Sequence, residues 1–287
     1  MNPRRVAGES MPRTPVAKRL VFHIGGYDPI TPHDSAQRRF EREIARFQRT
    51  WSVKATVDGL RDTADQIQWN VTTTGPGWLV ETDYHLVRWH DVIEAFGRRS
   101  IGSRIPLGIL AFLDFVLAGT LWRYLLTNWR YAGFFLYPFV MFGLLIAAAF
   151  LIGAFAFKVT GSIPIAIGGG LFGFGAVLAG PWRWLNLATL FDDWIFSREY
   201  IRSGNSNIAQ RLDRLAAELV AAASNSAADE ILVIGHSLGA VLAVDLLDRA
   251  LKQDPALGRN KIPVTFLSVG SSILKIGLHP KAIRSGM

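Results

Sequence analysis

The sequence predicts an α/β fold in which a mostly parallel sheet is interrupted by a helical membrane hairpin. Three observations predict it. The run 231–234, Ile-Leu-Val-Ile, is short, apolar and β-branched, as a buried parallel strand should be, and helical spacing follows it over 238–251. The elements read along the chain fall in the order β-α-β-β, insertion, α-β-α-β. Inside the insertion, residues 131–157 and 159–182 carry no charge, leaving Lys158 alone between Arg130 and Arg183.

Residues 1–19 are basic and proline-punctuated, without an apolar core of signal-peptide length, and read as a disordered arm. Residues 20–104 form the first part of the α/β domain. A strand near Val21 precedes a helix that Asp34 caps, with Phe40, Ile44 and Phe47 on one face. Residues 51–57, 67–72 and 78–89 then read as strands, and Asp91 caps a short helix.

Residues 105–182 form the membrane region. The spans are expected at 131–157 and 160–180, since each crosses ~30 Å of hydrocarbon at about 1.5 Å per residue. Gly169 and Gly173 make a small-xxx-small pair, which reads equally as a close approach of two helices or as glycine-driven flexibility. The run 105–122 contains Asp114, which costs at least ~2.5 kcal/mol at membrane depth. An interfacial or partly buried helix is the cheaper reading there. Arginines flank the hairpin (Arg98, Arg99, Arg104, Arg123 and Arg130 before it, Arg183, Arg198 and Arg202 after it), which puts both soluble parts on the cytoplasmic side.

Residues 183–287 complete the α/β domain. Asn205 or Ser206 caps a helix carrying Ile208, Leu212, Leu215 and Leu219. That helix feeds the 231–234 strand, and Ser237 follows at the centre of Gly235-His236-Ser237-Leu238-Gly239. A strand turning sharply into a helix holds this serine in a strained conformation, and glycines two residues either side avoid collision. The N–H of Leu238 then sits at a positive helix terminus, where an oxyanion can be held.

Gly235-His236-Ser237-Leu238-Gly239-Ala240 resembles the nucleophile turn of the α/β-hydrolase superfamily, in particular its lipase-like branches. The resemblance implies that residues 262–271 form the strand after the turn's helix, and that 20–27 hold the early strand. The loop of that early strand, at Gly25 and Gly26, would give the second oxyanion N–H. It further implies a Ser237 nucleophile that cleaves carboxylic esters, lipid-like ones given the anchor.

A serine nucleophile needs a base and an orienting acid. Only His279 follows Ser237, so it is the base candidate by family order, with a surface histidine as the rival reading of the same residue. Asp245 and Asp248 lie on the helix after Ser237 and read as solvated or capping groups. The later strands that carry acid and base in the family are missing, so a truncated chain is expected. Two rival readings stand beside truncation: an upstream base (His23, His33, His85 or His90, with Asp28 or Asp193) and a turn retained without catalysis. The alternative function is therefore a non-catalytic hydrolase-like membrane protein that binds a ligand or protein.

With no cysteine and six scattered histidines, thiolate metal sites are excluded and no metal or cofactor is expected. The net charge of +8 has no nucleic-acid motif beside it and reads as contact with anionic membrane lipids.

Overall fold

The computed structural model describes residues 15–28, 36–259 and 261–284. The first part of the chain folds as β1 (Lys18–Ile24), α1 (Ala36–Trp51), β2 (Lys54–Asp62), β3 (Gln66–Gly75), β4 (Trp78–Val87) and α2 (His90–Gly97). Next come α3 (Ile101–Leu117), α4 (Thr120–Thr127), α5 (Trp129–Thr160), α6 (Ile163–Ala179) and the single turn α7 (Pro181–Trp184). The chain continues through α8 (Leu187–Ser203), α9 (Ser206–Asn225), β5 (Glu230–His236), α10 (Gly239–Gln253), β6 (Val264–Val269), α11 (Ile273–Gly277) and α12 (Pro280–Arg284).

The fold is α/β. Six strands make one mixed sheet in the order β2-β3-β4-β1-β5-β6. Three pairings are parallel (β1 with β4, β1 with β5, β5 with β6), and β2-β3-β4 is an antiparallel meander. Alternation sorts the two faces. Phe22, Ile24, Ile231 and Val233 join the main core beneath α8, α9 and α10. Trp69, Val71 and Leu86 face the other way, where Phe40 and Ile44 of α1 cover them. From β1 the chain passes through α1 toward the β2 edge, and from β5 through α10 toward β6. The carboxyl ends of β1 and β5 therefore flank a crevice at which the winding changes direction, the usual place for a ligand in an open α/β sheet.

Several elements differ from the sequence reading. The arm ends earlier than residue 19, because Asp229 accepts hydrogen bonds from the N–H groups of Ala17 and Lys18, and Glu230 pairs with Arg19 at 2.6 Å. Those contacts draw Lys18 and Arg19 into β1. Trp51 closes α1 instead of opening a strand, since it continues the helical face of Phe40, Ile44 and Phe47. The proposed cap Asp34 lies outside the described residues. Asp91 stands within the first turn of α2, whose N-cap is Trp89, whereas Asn205 caps α9 by accepting from the N–H of Ile208 at 3.1 Å.

The 105–182 region divides in two. Its boundaries fall inside α3 and α7. α3 docks on α8, and Asp114 is satisfied there by Arg202 and by Arg198 at 3.4 Å. α5 and α6 behave differently: α5, and α6 continued by α7 to Trp184, are each long and apolar enough to cross a membrane, and only 11% of each one's most apolar stretch is buried. They pack against each other in antiparallel fashion through glycine. A Cβ on Gly153 would stand 2.8 Å from the Ala166 carbonyl, and one on Gly173 would stand 3.3 Å from Ala149 Cα. Phe150, Phe155, Leu171 and Phe172 point outward.

Candidate active site at the turn from β5 to α10

β5 ends at His236, and Ser237 reverses the chain into α10 with φ of +52°, in the left-handed region. That conformation costs a non-glycine residue about 1–2 kcal/mol. Backbone bonds hold it: the N–H of Ser237 donates to the Val269 carbonyl at 3.0 Å, and its own carbonyl accepts from the N–H groups of Ala240 and Ser272, both at 3.1 Å. The two glycines are required by contact. A Cβ on Gly235 would lie 2.4 Å from Ala240 Cα, and one on Gly239 would lie 2.2 Å from the Ile24 carbonyl oxygen.

The loop after β1 closes on the same turn. The Gly25 carbonyl accepts from Trp89 Nε1 at 3.0 Å, which fixes the loop's path. Gly26 lies against the serine, with its missing Cβ 3.0 Å from both Ser237 Cβ and His236 Nδ1. Leu238 is fully buried, and among the described residues its N–H meets no acceptor. The structure thus brings Ser237, Leu238, Gly25 and Gly26 together. A hydroxyl at a left-handed turn, with a helix N-terminus on one side and a glycine loop on the other, has the layout of a nucleophile beside an anion-stabilising pocket.

The surface reading of His279 does not hold. It is fully buried rather than on the surface, with its ring edge-on to Phe115 at 5.2 Å and its Nε2 at 3.9 Å from Asp114 Oδ2. Burial holds its pKa below the usual histidine value. Among the described residues, no histidine hydrogen-bonds to the Ser237 hydroxyl.

The upstream histidines occupy distinct environments. His23 points to the α1 side of β1, where its Nδ1 meets the Tyr84 hydroxyl at 2.6 Å. Burial, then the neighbouring His236, lowers its pKa to about 4, so it is neutral at pH 7. His85 lies between Asp83 and Glu218, each at 3.3 Å. Burial works against its charge, but the two carboxylates outweigh it and raise the pKa. His90 contacts Glu94 at 3.2 Å. His33 lies outside the described residues.

Of the candidate acids, Asp28 pairs with Arg39 and Asp193 with Lys275. Lys275 was not singled out in the sequence, where it is one more cation of a basic tail. It is almost wholly buried, over the Trp194 ring at 3.9 Å. Asp245, expected in solvent, is buried and accepts from the Tyr200 hydroxyl at 2.5 Å and from Arg249 at 2.8 Å.

A cavity of about 400 Å³ opens beside the turn, with Gly25, Gly26, His23, Tyr27 and His236 on its wall. Among the described residues, no three histidine or carboxylate side chains are grouped to hold a metal ion. Compared with known proteins, the chain matches no family model, no curated protein and no solved structure.

Proposed function

We propose that this chain is a membrane-anchored serine hydrolase of the α/β-hydrolase type, cleaving carboxylic esters of lipid-like substrates through a Ser237 acyl-enzyme. One observation carries the reading: Ser237 alone of the 230–240 segment takes a left-handed backbone, between two glycines whose side chains would collide with α10 or with β1. Strain of that kind persists where the surroundings enforce it, and it presents the hydroxyl clear of the sheet. In this reading Ser237 Oγ attacks the ester carbonyl, its proton passes to a base, and the oxyanion is held by the N–H groups of Leu238 and Gly25 or Gly26. The C–O bond then breaks, the alcohol leaves with the proton, and water releases the acid. His279, oriented by Asp114, and His236, beside the serine, are the imidazoles to separate by mutation.

α5 and α6 act as the anchor. A hairpin would return the chain to the side from which it left, a reading that the direct pairing of β1 with β5 supports. Arg130 and Arg183 flank the hairpin while Lys158 alone lies near its turn, which favours a cytoplasmic site. Arg104, Arg198 and Arg202 add less to lipid contact than the bare sequence implies, since they are engaged by Asp192 and Asp114.

A second reading, a non-catalytic protein that binds a ligand or partner, is favoured by the lack of an imidazole bonded to the serine among the described residues. Labelling with an alkyl fluorophosphonate separates the two. The full chain in vesicles should label, and Ser237→Ala should not. Absence of label on the unmodified chain would establish the second reading.

A further inference from the structure

The cavity beside Ser237 is more than a surface hollow. Its far wall is aromatic: Trp69 stacks on Tyr84 at 4.9 Å, and Phe40 tilts against both at 5.1 Å and 4.8 Å. Leu86, Trp89 and Ile93 complete the apolar lining. The near end reaches Gly26 and His236, the residues that touch the serine. The cavity therefore runs from the turn to the space between α1 and the sheet.

Its charged lining side chains, Asp28, Arg39 and Glu43, are engaged in ion pairs, Glu43 with Arg46, and His90 contacts Glu94. His23 is held neutral against the Tyr84 hydroxyl, and Arg39 at the rim is paired with Asp28. A mainly aromatic and aliphatic wall whose charges are already paired suits a largely hydrocarbon ligand.

We infer that this cavity is the acyl pocket of the site, taking an uncharged aliphatic chain of medium length whose carboxyl end lies at Gly26 and Ser237. The inference rests on the hydrolase reading for its orientation, but not for the binding itself. At ~30 Å³ for each water-sized group, 400 Å³ holds about a dozen heavy atoms, so a chain of about ten carbons fills it. Longer chains must leave their ends outside and gain nothing further from it.

The test uses the full Ser237→Ala chain in phosphatidylcholine vesicles, with decanoic acid carrying a terminal diazirine as probe. Photolysis should attach the probe to peptides of α1, β3 and β4. Unlabelled straight-chain acids should compete about fourfold more strongly per added carbon, then level off near ten carbons. Phe40→Ala should move that limit to longer chains, and Phe40→Leu, which preserves most of the packing, should move it less. Label confined to α5 and α6 would mean partition into the bilayer only and would overturn the proposal, as would a length limit unmoved by either substitution. If fluorophosphonate fails to label Ser237 while decanoate still attaches here, the hydrolase reading falls and the pocket stands.

Discussion

Gly26 and Ser237 are in contact: a Cβ on the glycine would stand 3.0 Å from the Cβ of the serine. That closeness joins two strands far apart in sequence at one point, and under the proposed hydrolase reading it would set how near a donor of the β1 loop comes to the substrate carbonyl. Gly26→Ala must push the loop or the serine aside by several tenths of an ångström. Fluorophosphonate labelling of Ser237 should fall about 100-fold, the usual loss when an oxyanion donor is displaced. The melting temperature should change little.

Gly239 and Gly25 make a contrasting pair. A Cβ at Gly239 would meet the backbone oxygens of Ile24 and Gly25 at 2.2 Å and 2.3 Å, neither of which can move without distorting β1. A Cβ at Gly25 would meet nothing within 4 Å. Gly239→Ala should therefore cost about 3 kcal/mol in chemical denaturation, while Gly25→Ala should stay within about 0.5 kcal/mol of the unmodified protein. Equal losses in both would contradict the close approach.

His23 gives the molecule a pH dependence whose sign follows from its burial. The folded pKa of about 4 lies below the unfolded value near 6.5, so between these limits the unfolded chain binds more protons. Stability should therefore fall as pH drops through that window, by at most about 3 kcal/mol from this residue. His23→Gln keeps a partner for the Tyr84 hydroxyl and removes the titration. The difference between the two proteins, followed by thermal unfolding from pH 7 to 4, should shift in favour of the variant as the medium becomes acid.

Arg104 and Asp192 form an ion pair at 2.7 Å between α3 and α8, with both side chains under 10% exposed. Burial presses the Asp192 pKa upward, opposed first by Arg104 and then by Arg99. Arg104→Met leaves that carboxylate without its partner and should cost about 3–5 kcal/mol. Adding Asp192→Leu should recover most of the loss. A double variant as unstable as the single one would show that helix packing, and not the stranded charge, sets the cost.

Because the chain has no cysteine, single cysteines report topology cleanly. Lys158→Cys, near the turn between α5 and α6, and Asn225→Cys, at the end of α9, should react with an impermeant maleimide from opposite sides of sealed vesicles. Reaction from the same side would exclude a membrane-crossing hairpin.

The parts of the fold that read correctly from sequence are those with local causes. The turn at Ser237 needs only an apolar run, two glycines at fixed spacing and a following helical face, and all three lie within a few residues. The uncharged runs of α5 and α6 announced themselves for the same reason. His279, Asp245 and Asp114 misled or stayed open because their surroundings come from distant segments. His279 is enclosed by Phe115 and Asp114 of α3, Asp245 by Tyr200 of α8, and Asp114 by two arginines of α8. Nothing adjacent to these residues in the chain distinguishes a satisfied buried charge from a solvated one.

By itself, the sequence determined where strands and helices alternate, which two stretches are apolar enough to leave water, and which serine the backbone bends around. Only the tertiary structure decided that the β1 loop rests on that serine, that β2-β3-β4 runs antiparallel, and that an aromatic cavity adjoins the turn. The physical reason is range. Periodicity and glycine spacing act between neighbours along the chain, whereas strand order, burial of charge and cavity shape are set by segments that meet only after the sheet has closed.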